Sequence, residues 1–165
     1  MSSEINTPDT PAMDTDIFGM KPNTYCMLLH FSQFLVSMFP PFGLAAPIIM
    51  WIVAKNKSPQ VVLHGKIIAN WLISVLIYLA VGFGVFFLEL VVVFGYPEVN
   101  FVFGILLTIL AYIALIGGAL VMLLALIFPI IGGMRANQGV AWKYPLSIPF
   151  FKVIQSGNCG GVPAS

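Results

Sequence analysis

Three apolar runs, at about residues 25–53, 67–94 and 101–131, dominate this chain. Each exceeds the roughly 20 residues that a helix needs to span a ~30 Å hydrocarbon core. A water-soluble fold of this size cannot hide so much apolar surface. Of 165 residues 59% are hydrophobic and 8% charged, against about 25% charged in an ordinary soluble domain. The expected fold is all-α: an integral membrane helical bundle with three main hydrophobic segments and a C-terminal interfacial segment at 134–153. The membrane domain is expected to cover 25–153. Before it, "MSSEINTPDTPAMDTDIFGMKPNT" is polar, Pro-rich and acidic, without the basic start and early apolar core of a secretory signal, so residues 1–24 read as a disordered tail. Residues 154–165, "IQSGNCGGVPAS", read as a flexible tail.

The second and third runs are long enough to tilt or protrude as helices, and "GYPEVN" between them reads as a tight turn. The first run is Pro-broken. Pro40, Pro41 and Pro47 each remove a helical N–H, and Gly43 adds backbone freedom. Either one broken helix crosses once, or "PPFG" turns a hairpin inside the bilayer, with arms that reach only about 18–22 Å at 1.5 Å per residue. The single broken crossing is the reading carried forward.

Charge then orients the chain. Lys55, Lys57 and Lys66 share one loop, and Arg135, Lys143 and Lys152 follow the third run. With three crossings these six fall on one side and the acids Glu4, Asp9, Asp14, Asp16, Glu89 and Glu98 on the other. Cationic loops stay cytoplasmic. The expected placement is therefore a multi-pass protein of the bacterial inner membrane, C-terminus cytoplasmic and N-terminus outside. Lys21 is the exception, and the hairpin reading would bring it inside as well. A net charge of +1 without a basic stripe points away from nucleic acid.

Polar residues inside apolar runs are the candidates for function. Cys26, His30, Gln33 and Ser37 recur at helical spacing on one face, as do Lys66, Asn70, Ser74 and Tyr78 on the second run, with Thr108 and Tyr112 on the third. The first expectation for such seams is hydrogen bonding between helices; the alternative is a hydrated groove. Cys26 with His30 supplies two ligands, too few for a metal site. Glu89 lies ~34 Å along a helix from Lys66, which takes it to the far membrane boundary; the other reading pairs it with Lys21. Small residues at every seventh position, Gly104, Ala111, Gly118, Ala125 and Gly132, form a stripe along which another backbone can approach closely. His64, Lys66 and Asn70, together with Arg135, Asn137, Lys143 and Tyr144, make a candidate docking face on the cytoplasmic side.

The chain contains no Asp after Asp16, no phosphate-cradling Gly–Lys–Ser/Thr loop, no zinc-protease helix and no nucleophile elbow. The cytoplasmic side therefore lacks paired carboxylates for acid–base work, and neither an enzyme nor a cofactor is expected.

Three phrases, "LLHFSQF", "PIIMWIVAKNKSPQVVLHGKIIANW" and "MRANQGVAWKYPLSI", resemble the bacterial Tic-twenty-like small membrane proteins, a domain-of-unknown-function family. The most specific parts are Trp51, Lys55, Ser58-Pro59, His64, Lys66 and Asn70, then Ala136, Gly139 and Tyr144-Pro145. The sequence departs where that family places an acid after the Lys matching Lys66, since Ile67 follows here. The resemblance implies a small helical membrane bundle, and its plastid namesake is a protein-import translocon subunit. The expected function is a non-catalytic accessory or scaffold subunit that packs with itself or with a larger membrane complex. The alternatives are a translocation or permeation component with a hydrated groove, and a protein that binds anionic lipid. Expected partners are membrane lipids and either a membrane protein or a second copy.

Overall fold

A computed structural model describes residues 16–35, 39, 42–96 and 101–153. Within them the chain is helical: α1 (Pro22–Phe31), a 3-10 turn (Phe42–Leu44), α2 (Ala45–Ala54), α3 (Pro59–Gly95) and α4 (Phe101–Asn137). Residues ahead of the expected boundary at 25 already pack into the protein. Ile17 is fully buried and exchanges backbone hydrogen bonds with Met20.

Local chemistry sets the helix ends. Ser58 caps α3 by accepting the Gln60 N–H at 3.3 Å, and Pro59 occupies the first helical position, where a missing N–H has no consequence. α4 closes on Gly139, whose φ of +76° is the left-handed conformation that glycine adopts without strain. There the Gly139 N–H bonds the Ala136 carbonyl and the Val140 N–H reaches back to the Arg135 carbonyl, both at 2.9 Å.

α3 and α4 have 37 residues each, about 55 Å of helix, and both are long and apolar enough to cross a membrane. They run antiparallel. Thr108 meets Glu89, Ala114 lies against Gly82, and the Phe128 ring stands 4.9 Å from that of Trp71.

Among the described residues the first apolar run forms two short helices in place of one long one. α1 and α2 have ten residues each, about 15 Å of helix, half of what a hydrocarbon core requires. They lie side by side, with the Tyr25 hydroxyl donating to the Met50 carbonyl at 2.8 Å. The segment entering α1 and the segment leaving α2 meet at one end, where the Lys57 ammonium sits 3.7 Å above the Phe18 ring. Two short helices side by side are the arrangement that the hairpin reading expects, and the Lys57–Phe18 contact brings the segment carrying Lys21 to the end that holds Lys57. Residues 36–38 and 40–41, with the start of the expected "PPFG" turn, and the expected "GYPEVN" turn past Tyr96 fall outside the described residues, as do the expected tails at 1–15 and 154–165.

The core gathers at that same end. One cluster joins Ile17, Cys26, Leu29 and Ala54 to Val61, Ile68 and Ala136; a second joins Ile67, Trp71, Phe128 and Tyr144. Lipid tails are as apolar as leucine, so close packing and internal hydrogen bonds, more than escape from water, favour these contacts over lipid. Trp51 of α2 lies so close over Gly65 of α3 that any Cβ there would collide with the indole.

Candidate functional site

The site is a buried polar node where α1, α3 and the chain after α4 converge. α1 supplies His30 and, just past its end, Gln33; α3 supplies His64; the irregular segment after Asn137 supplies Tyr144. All four are nearly inaccessible. His30 stands between two partners: its Nδ1 is 2.6 Å from the Tyr144 hydroxyl and its Nε2 is 2.9 Å from His64 Nδ1.

Gln33 supplies a donor to the same hydroxyl. Its Nε2 donates to the His30 carbonyl at 3.2 Å, an acceptor only, so the amide nitrogen and not the oxygen faces this way. The same Nε2 donates to the Tyr144 hydroxyl at 3.0 Å. With the hydroxyl proton given to His30 Nδ1, His30 carries its own proton on Nε2 and donates it to His64 Nδ1; the other tautomer reverses both bonds. Burial raises the pKa of the Tyr144 phenol, against a smaller opposing effect of the Gln33 N–H, which keeps the phenol protonated. Gln33 Oε1 is buried with no partner among the described residues.

Gly132 makes the node possible. A Cβ there would lie 2.8 Å from the Tyr144 ring and hydroxyl and 2.9 Å from His30 Nδ1. Around Tyr144 the rings of Trp71, Phe128 and Trp142 pack with centroids 5.5–5.8 Å from its own. Arg135 covers the Trp142 ring at 5.5 Å.

Beside the node, α3 holds the C-terminal segment by its backbone. Asn70 donates to the Phe151 carbonyl at 2.9 Å and accepts the Phe151 N–H at 2.7 Å. Ser74 accepts the Ile148 N–H at 2.8 Å, and the Tyr78 hydroxyl donates to the Leu146 carbonyl at 2.6 Å. The i, i+4, i+8 spacing on one helix face thus works like the edge of a sheet. The segment after Asn137 follows this edge, while residues 134–137 belong to α4.

Of the expected seam residues, His30 bonds His64 across helices, Gln33 bonds Tyr144 on the C-terminal segment, Ser74 and Tyr78 bond the backbone of that segment, and Ser37 lies outside the described residues. Cys26 is buried in the apolar core beside Leu29 and Ala54. The expected docking face divides: His64, Asn70 and Tyr144 are buried and engaged internally, which removes them from any outer surface. Lys66 is half-buried, and Arg135, Asn137 and Lys143 are exposed. The small-residue stripe is not one seam. Gly132 and Ala111 are buried, Gly104, Ala125 and Gly118 half-buried, and a Cβ at Gly104 or Gly118 would meet nothing within 4 Å. Glu89 accepts from Thr108 at 3.3 Å, at the end of α3 opposite Lys21, so the two do not pair.

Sequence reasoning missed the His30–His64 contact and the central place of Tyr144. One signal was available: these are the chain's two histidines, and both stand in apolar surroundings. Among the described residues no three His, Cys, Asp or Glu side chains group closely enough to hold a metal ion.

A family model described as the magnetosome magnetite crystal formation protein family (MamF/MmsF) matches residues 21–151. This overturns the Tic-twenty-like resemblance, whose quoted phrases all fall within the matched region. No curated protein and no solved structure matches the chain.

Proposed function

The chain belongs to the magnetosome magnetite crystal formation (MamF/MmsF) family, and on that premise we propose that it is a non-catalytic accessory membrane protein of crystal formation. The observation that carries this reading is the extent of the match. It contains α1 to α4 and every residue of the polar node, so what the family shares is the whole membrane body rather than one motif. The test is replacement of the gene in magnetite-forming cells, with crystal size and shape measured by electron microscopy. Loss of the chain is expected to alter the crystals and the wild-type copy to restore them. Unaltered crystals would overturn the reading.

α3 and α4 make two crossings in this reading, with both chain ends on the cytoplasmic side of a bacterial membrane. The support is charge: all seven cations, Lys21, Lys55, Lys57, Lys66, Arg135, Lys143 and Lys152, fall on segments at one end of the hairpin, opposite Glu89. Lipid is the principal partner, and the basic end suits anionic headgroups, each Lys or Arg near them contributing about 1 kcal/mol. The hydrated-groove alternative loses its main support, because Asn70, Ser74 and Tyr78 are occupied by the backbone of the C-terminal segment.

A further inference from the structure

The cross-section of the protein changes sharply along α3 and α4. Every buried residue of α3 lies between Val61 and Ser74, and most of those of α4 lie between Phe128 and Ala136. Around these stretches pack α1, α2 and the C-terminal segment. Beyond Tyr78, which still bonds Leu146, the described parts of α3 and α4 pack mainly on each other, and side chains such as Val81, Phe83, Phe87 and Phe94 are 62–79% exposed.

The added helices are short against the membrane. α1 and α2 are each about 15 Å long, and the C-terminal segment reaches Tyr78, about 18 Å beyond Lys66, in a core of ~30 Å. The outer face of α2, with Ile48, Ile49, Ile52 and Val53 each 41–57% exposed, is left open by the described residues. It lies at the cationic end, at a depth where the acyl chains of a single leaflet would cover it. One leaflet thus surrounds four helices and a docked segment, the other surrounds two helices. At 10–12 Å per helix diameter the excess is roughly 200 Å².

We propose that the chain is a wedge whose partner surface is a curved membrane: it partitions to bilayers whose leaflet at the basic end is convex, such as the outer leaflet of a small vesicle. This rests on the two-crossing reading above. A leaflet widened on one side has its lipids under less strain when it bends outward, so curvature sets where the protein accumulates. Accumulation in turn favours that curvature.

The test uses the full chain, tagged at both ends with fluorophores, in giant vesicles of phosphatidylcholine with phosphatidylglycerol. Synthesis outside the vesicles inserts it with the basic end outward, because only the short α3–α4 connection must cross; synthesis inside gives the reverse. Narrow tubes are then pulled outward from both preparations and the tube-to-vesicle ratio of protein per lipid is read. The expected ratio is above one for the outward orientation and below one for the inward. This reversal of sign is something that general affinity for curved lipid would not produce. Equal ratios, or the opposite order, would overturn the wedge. Protease access to the tags separates the two readings: tags on the same face with equal ratios sink the wedge alone, and tags on opposite faces sink the two crossings and the wedge with them.

Discussion

His30 Nε2 lies 2.9 Å from His64 Nδ1, so a single proton joins two buried imidazoles on two different helices. The contact ties the short α1 to the spanning α3, and through His30 Nδ1 it extends to Tyr144 on the C-terminal segment. Three elements that lie far apart in sequence are thereby held by one side chain.

Removing one imidazole leaves the other with an unanswered buried polar atom, at a cost of about 1–3 kcal/mol. His64→Leu and His30→Leu should each lower the thermal stability of the detergent-solubilised protein. The double variant should lose less than the sum, with a coupling of about 0.5–3 kcal/mol. Strict additivity in this cycle would mean that the two rings do not interact.

Gly132 and Gly118 belong to the same seven-residue stripe but should respond in opposite ways. Gly132→Ala drives a methyl against Tyr144 and His30 and is expected to cost about 1–3 kcal/mol as overpacking. Gly118→Ala meets open space and should be neutral or slightly stabilising, since alanine favours helix by up to ~1 kcal/mol over glycine. Melting temperatures of the two variants check this; equal losses would restore the continuous packing seam.

Asn70 holds Phe151 through both of its backbone groups. Asn70→Ala should free the segment and speed trypsin cleavage after Lys152, while Asn70→Asp, which keeps the acceptor and loses the donor, should fall between. Cleavage time courses by mass spectrometry give the readout. Identical rates for all three proteins would show that the segment is held by other contacts.

Topology is open to thiol labelling. In a chain carrying Cys26→Ala and Cys159→Ala, cysteine placed at exposed Asp16 or Asn56 should resist an impermeant maleimide in intact cells and react once they are opened. Cysteine at exposed Tyr96 should react in both conditions. Labelling of Asp16→Cys in intact cells would reinstate a crossing by the first run.

Much of the frame was legible beforehand. The two long apolar runs and the loop cations follow from local chemistry that needs no partner. The Pro-broken first run carried both readings in its residues. Its arms are too short to cross separately, but whether they pair side by side depends on Tyr25 meeting Met50 and Phe18 meeting Lys57. The candidate docking face divided for a related reason. His64, Asn70 and Tyr144 carry the polar atoms expected of a binding surface, and those atoms turned inward to one another and to backbone.

By itself, then, the sequence determined that this chain belongs in a membrane, which stretches are long enough to span it, and where its charge collects. Hydropathy and helix-end chemistry are properties of neighbouring residues, and they act in the same way whatever the chain packs against. Tertiary structure alone decided that the arms of the first run lie side by side, that His30 meets His64 and Tyr144 across 34 and 114 residues, and that the polar face of α3 grips a backbone. The physical reason lies in the solvent. In water, apolar patterning separates inside from outside; in a bilayer, lipid tails and protein core are equally apolar, so a leucine facing lipid and one facing a helix read alike. Only the assembled contacts tell them apart.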